Sequence, residues 1–244
     1  MNDYDTLAQA YRKTAEKPDK KYSILPTVMS LLGKLEGKRV LDLGCGSGFF
    51  TLPIARRNPE IVYAIDNSQK QLRLLPKHKR IVPFRLDIFR DPLPRADVIN
   101  APFILNYAKT SDELYDFIYR TYDSLSPEGK LVAVIDLPTP AKKEIEKKRK
   151  KWGAQKRFIH REDDGEEIEN ELYGNDGESI CKLNAFYYRD STLQFFFENS
   201  GFNVSWHKPI ISQEGLKRFG SKFWKDYDKY CELGYLIAQK DGTK

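Results

Sequence analysis

An acid followed by a glycine-rich turn is the part of this sequence best suited to chemistry. Asp42 lies among apolar residues and is followed by glycines at positions 44, 46 and 48. Glycine is needed where the backbone turns with positive φ or lies directly against a ligand. Such a turn between a strand and a helix is typical of cofactor sites in α/β proteins. We therefore expect a cofactor to contact Gly44, Cys45 and Gly46.

The spacing of these glycines argues against one common class of cofactor. A dinucleotide fingerprint has the form G-x-G-x-x-G, which would place a third glycine at position 49. Phe49 stands there instead. The pattern is Asp-x-Gly-x-Gly-x-Gly, so the loop is not a standard dinucleotide-binding turn.

Two more acids follow apolar runs that have the length of strands. Asp66 ends the run 61–65, and Asp87 ends the run 82–86. The carboxyl ends of parallel strands meet at one edge of a sheet, where open α/β sheets bind their ligands. Either aspartate alone could simply cap the next helix. Together with the glycine loop, the two acids favour a cofactor site.

Strands and helices alternate through the first half of the chain. Predicted strands cover 40–43, 61–65, 82–86, 97–99 and 130–136, and predicted helices cover 49–57, 69–76 and 111–122. This rhythm predicts a doubly wound, mostly parallel sheet with helices on both faces. A helix at 192–199 and strands at 204–211 and 235–239 bring the prediction to seven strands. We expect a single domain over residues 1–244.

Two segments fall outside this rhythm. Residues 1–35 read as a helical cover with a turn near Pro18. Residues 138–189 hold a charged helix and then alternating apolar and polar residues, as in the stretch 182–188. Alternation with period two predicts half-buried strands. We expect residues 138–189 to form an inserted antiparallel lid or substrate subdomain.

Five segments together resemble the successive motifs of the class I S-adenosylmethionine-dependent methyltransferases. They are residues 42–51, 64–68, 87–88, 97–108 and 125–132. The N-terminal residues 4–11 are also similar to the helix that folds over the cofactor in small-molecule members. The resemblance implies a Rossmann-like enzyme that uses S-adenosylmethionine and releases S-adenosylhomocysteine.

The resemblance also implies roles for individual residues. Asp66 would bind the ribose hydroxyls, and Asp87 with the Ile88 amide would bind the adenine. Asn67 is a cofactor-binding candidate without an assigned group. Asp42 and Asn100 are further cofactor-binding candidates. Tyr11 would contact the carboxylate or sulfonium end of the cofactor, although an aromatic core contact is an equal alternative.

The C-terminal tail suggests a class of acceptor. Residues 206–209, 213–216 and 219–224 resemble the toxoflavin synthase group of N-methyltransferases. That likeness implies N-methylation of a small heteroaromatic substrate. A ring nitrogen that is already unprotonated needs no base, whereas an oxygen nucleophile would need one. His207 is the more suggestive candidate for a base, with His160 in the insert as another, and His78 reads as a surface residue.

A second interpretation makes the acceptor a nucleic acid or a protein. Asn100-Ala101-Pro102-Phe103 is similar to the Asn-Pro-Pro-Tyr motif of amino-group methyltransferases, but Ala101 replaces a proline and Asn100 comes about two residues early. The net charge of +6 comes mostly from the basic run 142–151. Acidic residues at 162–171 could neutralise that run. We therefore expect a small-molecule acceptor, with a nucleic-acid partner as the alternative.

Composition bounds the remaining possibilities. Hydrophobic residues make up 40% and charged residues 31%, as in an ordinary globular protein. No apolar run is long enough to cross a membrane. The three cysteines, Cys45, Cys181 and Cys231, form no metal-binding pattern and fit a reducing cytoplasm. We expect a cytoplasmic enzyme without a metal; a non-catalytic module that binds the cofactor is a further alternative.

Overall fold

A computed structural model describes residues 12–139, 143–174 and 176–242. Its ten strands, in chain order, are β1 (Arg39–Leu43), β2 (Ile61–Asp66), β3 (Ile81–Arg85), β4 (Ala96–Pro102), β5 (Leu125–Asp136), β6 (Ala154–Phe158), β7 (Glu167–Tyr173), β8 (Ser179–Phe186), β9 (Phe202–His207) and β10 (Leu233–Lys240). Seven of them form the main sheet, in the order β3-β2-β1-β4-β5-β10-β9. Within it β10 runs antiparallel to both of its neighbours, β5 and β9. The predicted Rossmann-like, mostly parallel sheet of seven strands is confirmed.

Helices cover the two faces of this sheet. They are α1 (Leu25–Leu32), α2 (Thr51–Ala55), α3 (Gln69–Arg73), α4 (Ser111–Ser124), α5 (Lys143–Lys150), α6 (Asp190–Asn199), α7 (Gln213–Trp224) and α8 (Tyr227–Tyr230). A π-helical turn, Lys20–Ile24, leads directly into α1. Side chains cap several of these helices; for example, the Thr110 hydroxyl accepts the Glu113 amide at the start of α4. None of the helices within the described ranges is both long and apolar enough to cross a membrane.

The strand predicted at 204–211 ends earlier in the structure, at His207. Pro209 follows, and proline cannot donate to a sheet ladder. The chain then leaves the sheet: the Ile210 amide donates to the Thr27 hydroxyl, and the Ser212 amide donates to the Tyr22 carbonyl. Helix α7, which begins here, was not predicted from the sequence.

The insert forms a separate antiparallel sheet in the order β6-β7-β8. It lies over the carboxyl end of β5, where the buried Asp136 carboxylate bonds to two of its side chains. Lys156 Nζ is 2.8 Å from one carboxylate oxygen, and Asn170 Nδ2 donates to the other at 2.7 Å. These bonds fix the small sheet over the edge at which a ligand is expected.

Several described residues of the basic run contact other parts of the protein. Arg149 is buried and pairs with Glu232 at 3.0 Å. Lys150 lies 4.7 Å from the Tyr173 ring, and Lys151 lies 4.7 Å from the Trp152 ring. The acidic stretch pairs elsewhere, with Lys182 and Arg189. The described side chains therefore do not show the mutual neutralisation that the sequence suggested.

The Arg149–Glu232 pair gives a test of this architecture. We expect Glu232→Ala to lower the free energy of unfolding by about 3–5 kcal/mol, because it leaves the Arg149 charge buried without its partner. Glu169→Ala is the matched control. It breaks a partly exposed pair with Lys182, which is worth about 1 kcal/mol or less. Urea unfolding of both variants measures the difference, and equal losses would contradict the role given to Glu232.

Candidate active site

The glycine loop after β1 passes close to the end of β4. Gly44 has a φ of 62°, and a Cβ placed on it would lie 2.3 Å from Ile104 Cδ1. The Cys45 amide donates to the Ile65 carbonyl at 2.9 Å and so extends the pairing of β1 with β2. Positive φ together with this close approach explains why glycine stands at position 44.

Asp42 and Asn100, which are expected from the sequence to bind the cofactor, lie beneath the loop; their contact with the cofactor stays a prediction. The Asp42 carboxylate accepts hydrogen bonds from the Thr51 hydroxyl and from Asn100 Nδ2, the latter at 2.7 Å. Burial raises the pKa of Asp42 to about 6, although both hydrogen bonds oppose the shift. Asn100 is fully buried inside β4, in register with Asp42. Both residues therefore hold the loop in place from below.

A cavity of about 140 Å³ opens at the carboxyl ends of β1, β2, β3 and β4. It is lined by residues at these four strand ends and in the segments that follow them: Gly44, Gly46, Asp66, Asn67, Gln71, Leu86, Asp87, Ile88, Phe89, Pro102, Phe103, Ile104 and Tyr107. The geometry thus brings six of the predicted cofactor contacts to one place: Gly44, Gly46, Asp66, Asn67, Asp87 and Ile88. Cys45 is buried behind the loop.

The Asp66 carboxylate is already oriented by the backbone. One oxygen accepts the Gly46 amide at 2.8 Å, and the other accepts the Ser68 amide at 2.8 Å. A carboxylate oxygen has more than one lone pair, so further donors can still bond to it. Asp66 is half-buried on the cavity wall and is well placed to accept hydroxyl donors.

Gln71 is a cavity residue that sequence reasoning missed. Its side chain is only 1% exposed, yet neither its Oε1 nor its Nε2 has a hydrogen-bond partner among the described residues. A buried amide without partners is costly in free energy. A ligand with a donor and an acceptor at this position would satisfy it, so the cavity fits a polar cofactor. The only local signal is its place in the first turn after the Ser68 cap.

A second cavity, of about 50 Å³, adjoins the first and shares Phe103 and Tyr107 with it. Its walls come from the N-terminal segment, the main sheet and the small sheet: Thr14, Lys17, Asp19, Lys20, Ile24, Phe103, Tyr107, Asp136, Ala154, Lys156, Asn170, Leu172, Leu183 and Leu233. An unusual number of these side chains are both charged and buried. No sequence motif indicated this cavity.

The charged groups of the second cavity differ in how they are held. Lys156 pairs with Asp136, and Lys17 Nζ lies 3.6 Å from an Asp19 oxygen. Lys20 Nζ donates to the Thr14 hydroxyl at 3.0 Å. Burial, and next the nearby Lys17 charge, lower the pKa of Lys20 to about 7, against the opposing effect of Asp19.

The histidines lie apart from both cavities. His207 ends β9, the edge strand, where it is exposed and 2.9 Å from the Ser205 hydroxyl. Two strands, β5 and β10, lie between β4 and β9 in the sheet. His160 is exposed after β6, and His78 is half-buried before β3. We therefore do not propose any of them as the base. The predicted contact Tyr11 lies outside the described residues.

A family profile described as the methyltransferase small domain matches residues 15–157. That match spans more than half of the chain and includes the loop and both cavity-lining acids. The chain belongs to this family. The cofactor of the methyltransferase is S-adenosylmethionine, and the cavity with its buried Gln71 amide and its acidic wall suits that molecule.

Two relatives with similar sequences match this methyltransferase. An uncharacterized protein of Haemophilus influenzae is 30% identical over 185 residues, which cover 69% of this chain and 72% of the relative. The ubiquinone biosynthesis O-methyltransferase of Alkalilimnicola ehrlichii is 43% identical over 54 residues, or 22% of each chain.

Solved structures of methyltransferases share the fold. The CcbJ methyltransferase of Streptomyces caelestis superposes with a TM-score of 0.65 at 16% identity and covers 96% of each chain. The magnesium protoporphyrin IX methyltransferase of Synechocystis, solved with bound SAH, gives a TM-score of 0.62 at 14% identity over 98% of this chain and 96% of its own. At these identities the likeness shows the fold alone.

Asp66 provides the first test of the cofactor site. We expect Asp66→Ala to weaken S-adenosylmethionine binding about tenfold to a hundredfold, since hydrogen bonds to a charged acceptor contribute about 1.5–3 kcal/mol. Calorimetry measures the affinity. Asp116→Ala, which removes an exposed carboxylate of α4, is the matched control and should bind normally. An Asp66→Ala protein that folds and binds as tightly as the wild type would exclude Asp66 from the ribose role.

Proposed function

We propose that this methyltransferase transfers the methyl group of S-adenosylmethionine to a small heteroaromatic molecule, at a ring nitrogen. The observation that carries the proposal is the second cavity, which adjoins the cofactor cavity at Phe103 and Tyr107. Residues of the small sheet, the main sheet and the segment 14–24 line it. A recess beside the cofactor cavity, walled on several sides by the protein, suits a small acceptor better than a polymer.

The chain's own residues have a limited set of tasks in this reaction. The cofactor supplies a methyl group that is already strongly electrophilic. The glycine loop, Asp66 and Gln71 orient the cofactor, and Phe103 and Tyr107 line both cavities. Holding an acceptor in line in a site of this kind can supply about 7–11 kcal/mol of the barrier.

Two features of the second cavity support a planar nitrogen acceptor. The rings of Phe103 and Tyr107 can stack on a planar heterocycle. Asn170 contributes a buried amide oxygen that can accept a ring N–H. The resemblance of the tail to the toxoflavin synthase group agrees with this choice and stays a prediction.

Two observations weigh against the nucleic-acid or protein alternative. Asn100, the key residue of that interpretation, is fully buried within β4 and bound to Asp42. In the described part of the basic run, Arg149 is buried against Glu232, and Lys151 lies against the Trp152 ring. A cytoplasmic location is also proposed, and the free thiols of Cys45, Cys181 and Cys231 support it.

Methyl-labelled S-adenosylmethionine tests this function directly. The wild-type protein is incubated with the labelled cofactor and a bacterial cell extract, and label is counted in the small-molecule, nucleic-acid and protein fractions. We expect label in the small-molecule fraction, strongly reduced by Asp66→Ala and unchanged by Asp116→Ala. Label confined to nucleic acid or protein would refute the proposal.

A further inference from the structure

The second cavity contains two ion pairs that serve the architecture. Lys156 Nζ bonds to Asp136 and also donates to the Glu232 carbonyl at 2.7 Å, so it is fully engaged in joining the two sheets. Lys17 lies against Asp19 within the N-terminal segment. Neither pair requires a ligand for its explanation.

Lys20 is a buried cation of this cavity that lies against the residue directly after the cofactor loop. Its Nζ is 5.0 Å from the centre of the Phe49 ring, directly after the glycines, and bonds to the neutral Thr14 hydroxyl. Its side chain is 7% exposed. It therefore adjoins both the residue that follows the glycine loop and the space in which the acceptor is proposed to bind.

Asn170 provides an independent indication of a ligand. Its Nδ2 donates to Asp136, which fixes the orientation of the amide because a carboxylate needs a donor. Its Oδ1 is buried on the same cavity wall and has no hydrogen-bond partner within the described ranges. A buried acceptor of this kind calls for an N–H or O–H group from a ligand.

We propose that Lys20 accepts the proton that the acceptor loses on methylation, and that Asn170 Oδ1 orients the acceptor. This inference rests on the proposed function and narrows its substrate class to small planar heterocycles that carry a weakly acidic ring N–H for Lys20 and a second N–H or O–H group for Asn170 Oδ1. In the step, the ring nitrogen gives its N–H proton to neutral Lys20 Nζ and forms a bond to the methyl carbon. The carbon–sulfur bond breaks and its electron pair stays on sulfur, which leaves S-adenosylhomocysteine and a protonated lysine.

The electrostatics of the cavity suit this role. A lysine with a pKa of about 7 is neutral in a large fraction of molecules near neutral pH. The groups that face it are Lys17 and Asp19 on its own segment and Cys181 on β8, with Asp136 and Lys156 on the same cavity wall. A general base acts best when its pKa lies near the working pH.

Four proteins test the proposal: the wild type, Lys20→Met, Lys20→Arg and Lys21→Met. The assay is the initial rate of label transfer from S-adenosylmethionine into the low-mass fraction of a bacterial extract, between about pH 6 and 9. The wild-type rate should rise with pH through about 7, because the neutral amine is the active form. We expect Lys20→Met to be about 100-fold slower or worse, without that rise. Lys20→Arg should be as slow as Lys20→Met, since a guanidinium keeps its proton. Lys21→Met should transfer label at the wild-type rate.

A second readout needs no acceptor. Because the folded pKa of Lys20 is lower than its unfolded value, the unfolded chain binds more protons between about pH 7 and 10. The free energy of unfolding of the wild type should therefore rise with pH relative to that of Lys20→Met. A difference between the two proteins that stays constant over this range would overturn the proposal.

The outcomes separate this inference from the function on which it rests. If the wild type labels small molecules and folded Lys20→Met does so equally fast with the same pH dependence, only the role of Lys20 is refuted. If the wild type labels only nucleic acid or protein, the proposed function and this inference both fail.

Discussion

The proposed site depends on the ion pair and the hydrogen bond that the buried Asp136 carboxylate forms with the small sheet. Asp136 ends β5 and bonds to Lys156 and Asn170, which belong to the small sheet. Asn106 fixes its backbone from the other side, donating to the Asp136 carbonyl at 3.1 Å and accepting its amide at 2.8 Å. Removing one member of such a buried network leaves charge uncompensated, which is strongly destabilising. This group therefore helps to hold the small sheet, and with it the second cavity, in place.

The two cavities depend on their polar groups in different ways. In the first cavity, polar backbone and side-chain groups line a space next to the glycine loop. The buried Gln71 amide there has no hydrogen-bond partner among the described residues. In the second, several ionisable side chains are buried together although apolar residues would pack there at lower cost. Proteins tend to break local rules of packing and polar satisfaction at functional sites. That tendency agrees with a cofactor in the first cavity and an acceptor in the second.

The sequence predicts the cofactor side of this arrangement far better than the acceptor side. Strand ends carry Asp66 and Asp87, and the glycine spacing marks the loop, so local pattern and topology together are enough. For Asp42 and Asn100 the sequence leaves two orientations open. A polar side chain beside such a loop can face the ligand or support the loop from below. The pairing of β1 with β4 places both residues beneath the loop. Lys20 and Asn170 give no local signal in the sequence, and Gln71 gives only its place after the Ser68 cap. Their significance arises from burial, which is a property of the folded chain.

A crystal structure of the full chain with S-adenosylhomocysteine tests the central claim most directly. The claim is that the two cavities form one reaction chamber joined at Phe103 and Tyr107. It predicts the ribose hydroxyls on Asp66, a ligand contact to the Gln71 amide, and the sulfur atom facing the second cavity between the two aromatic rings. A sulfur atom that points away from Phe103 and Tyr107, toward another surface of the protein, would contradict it.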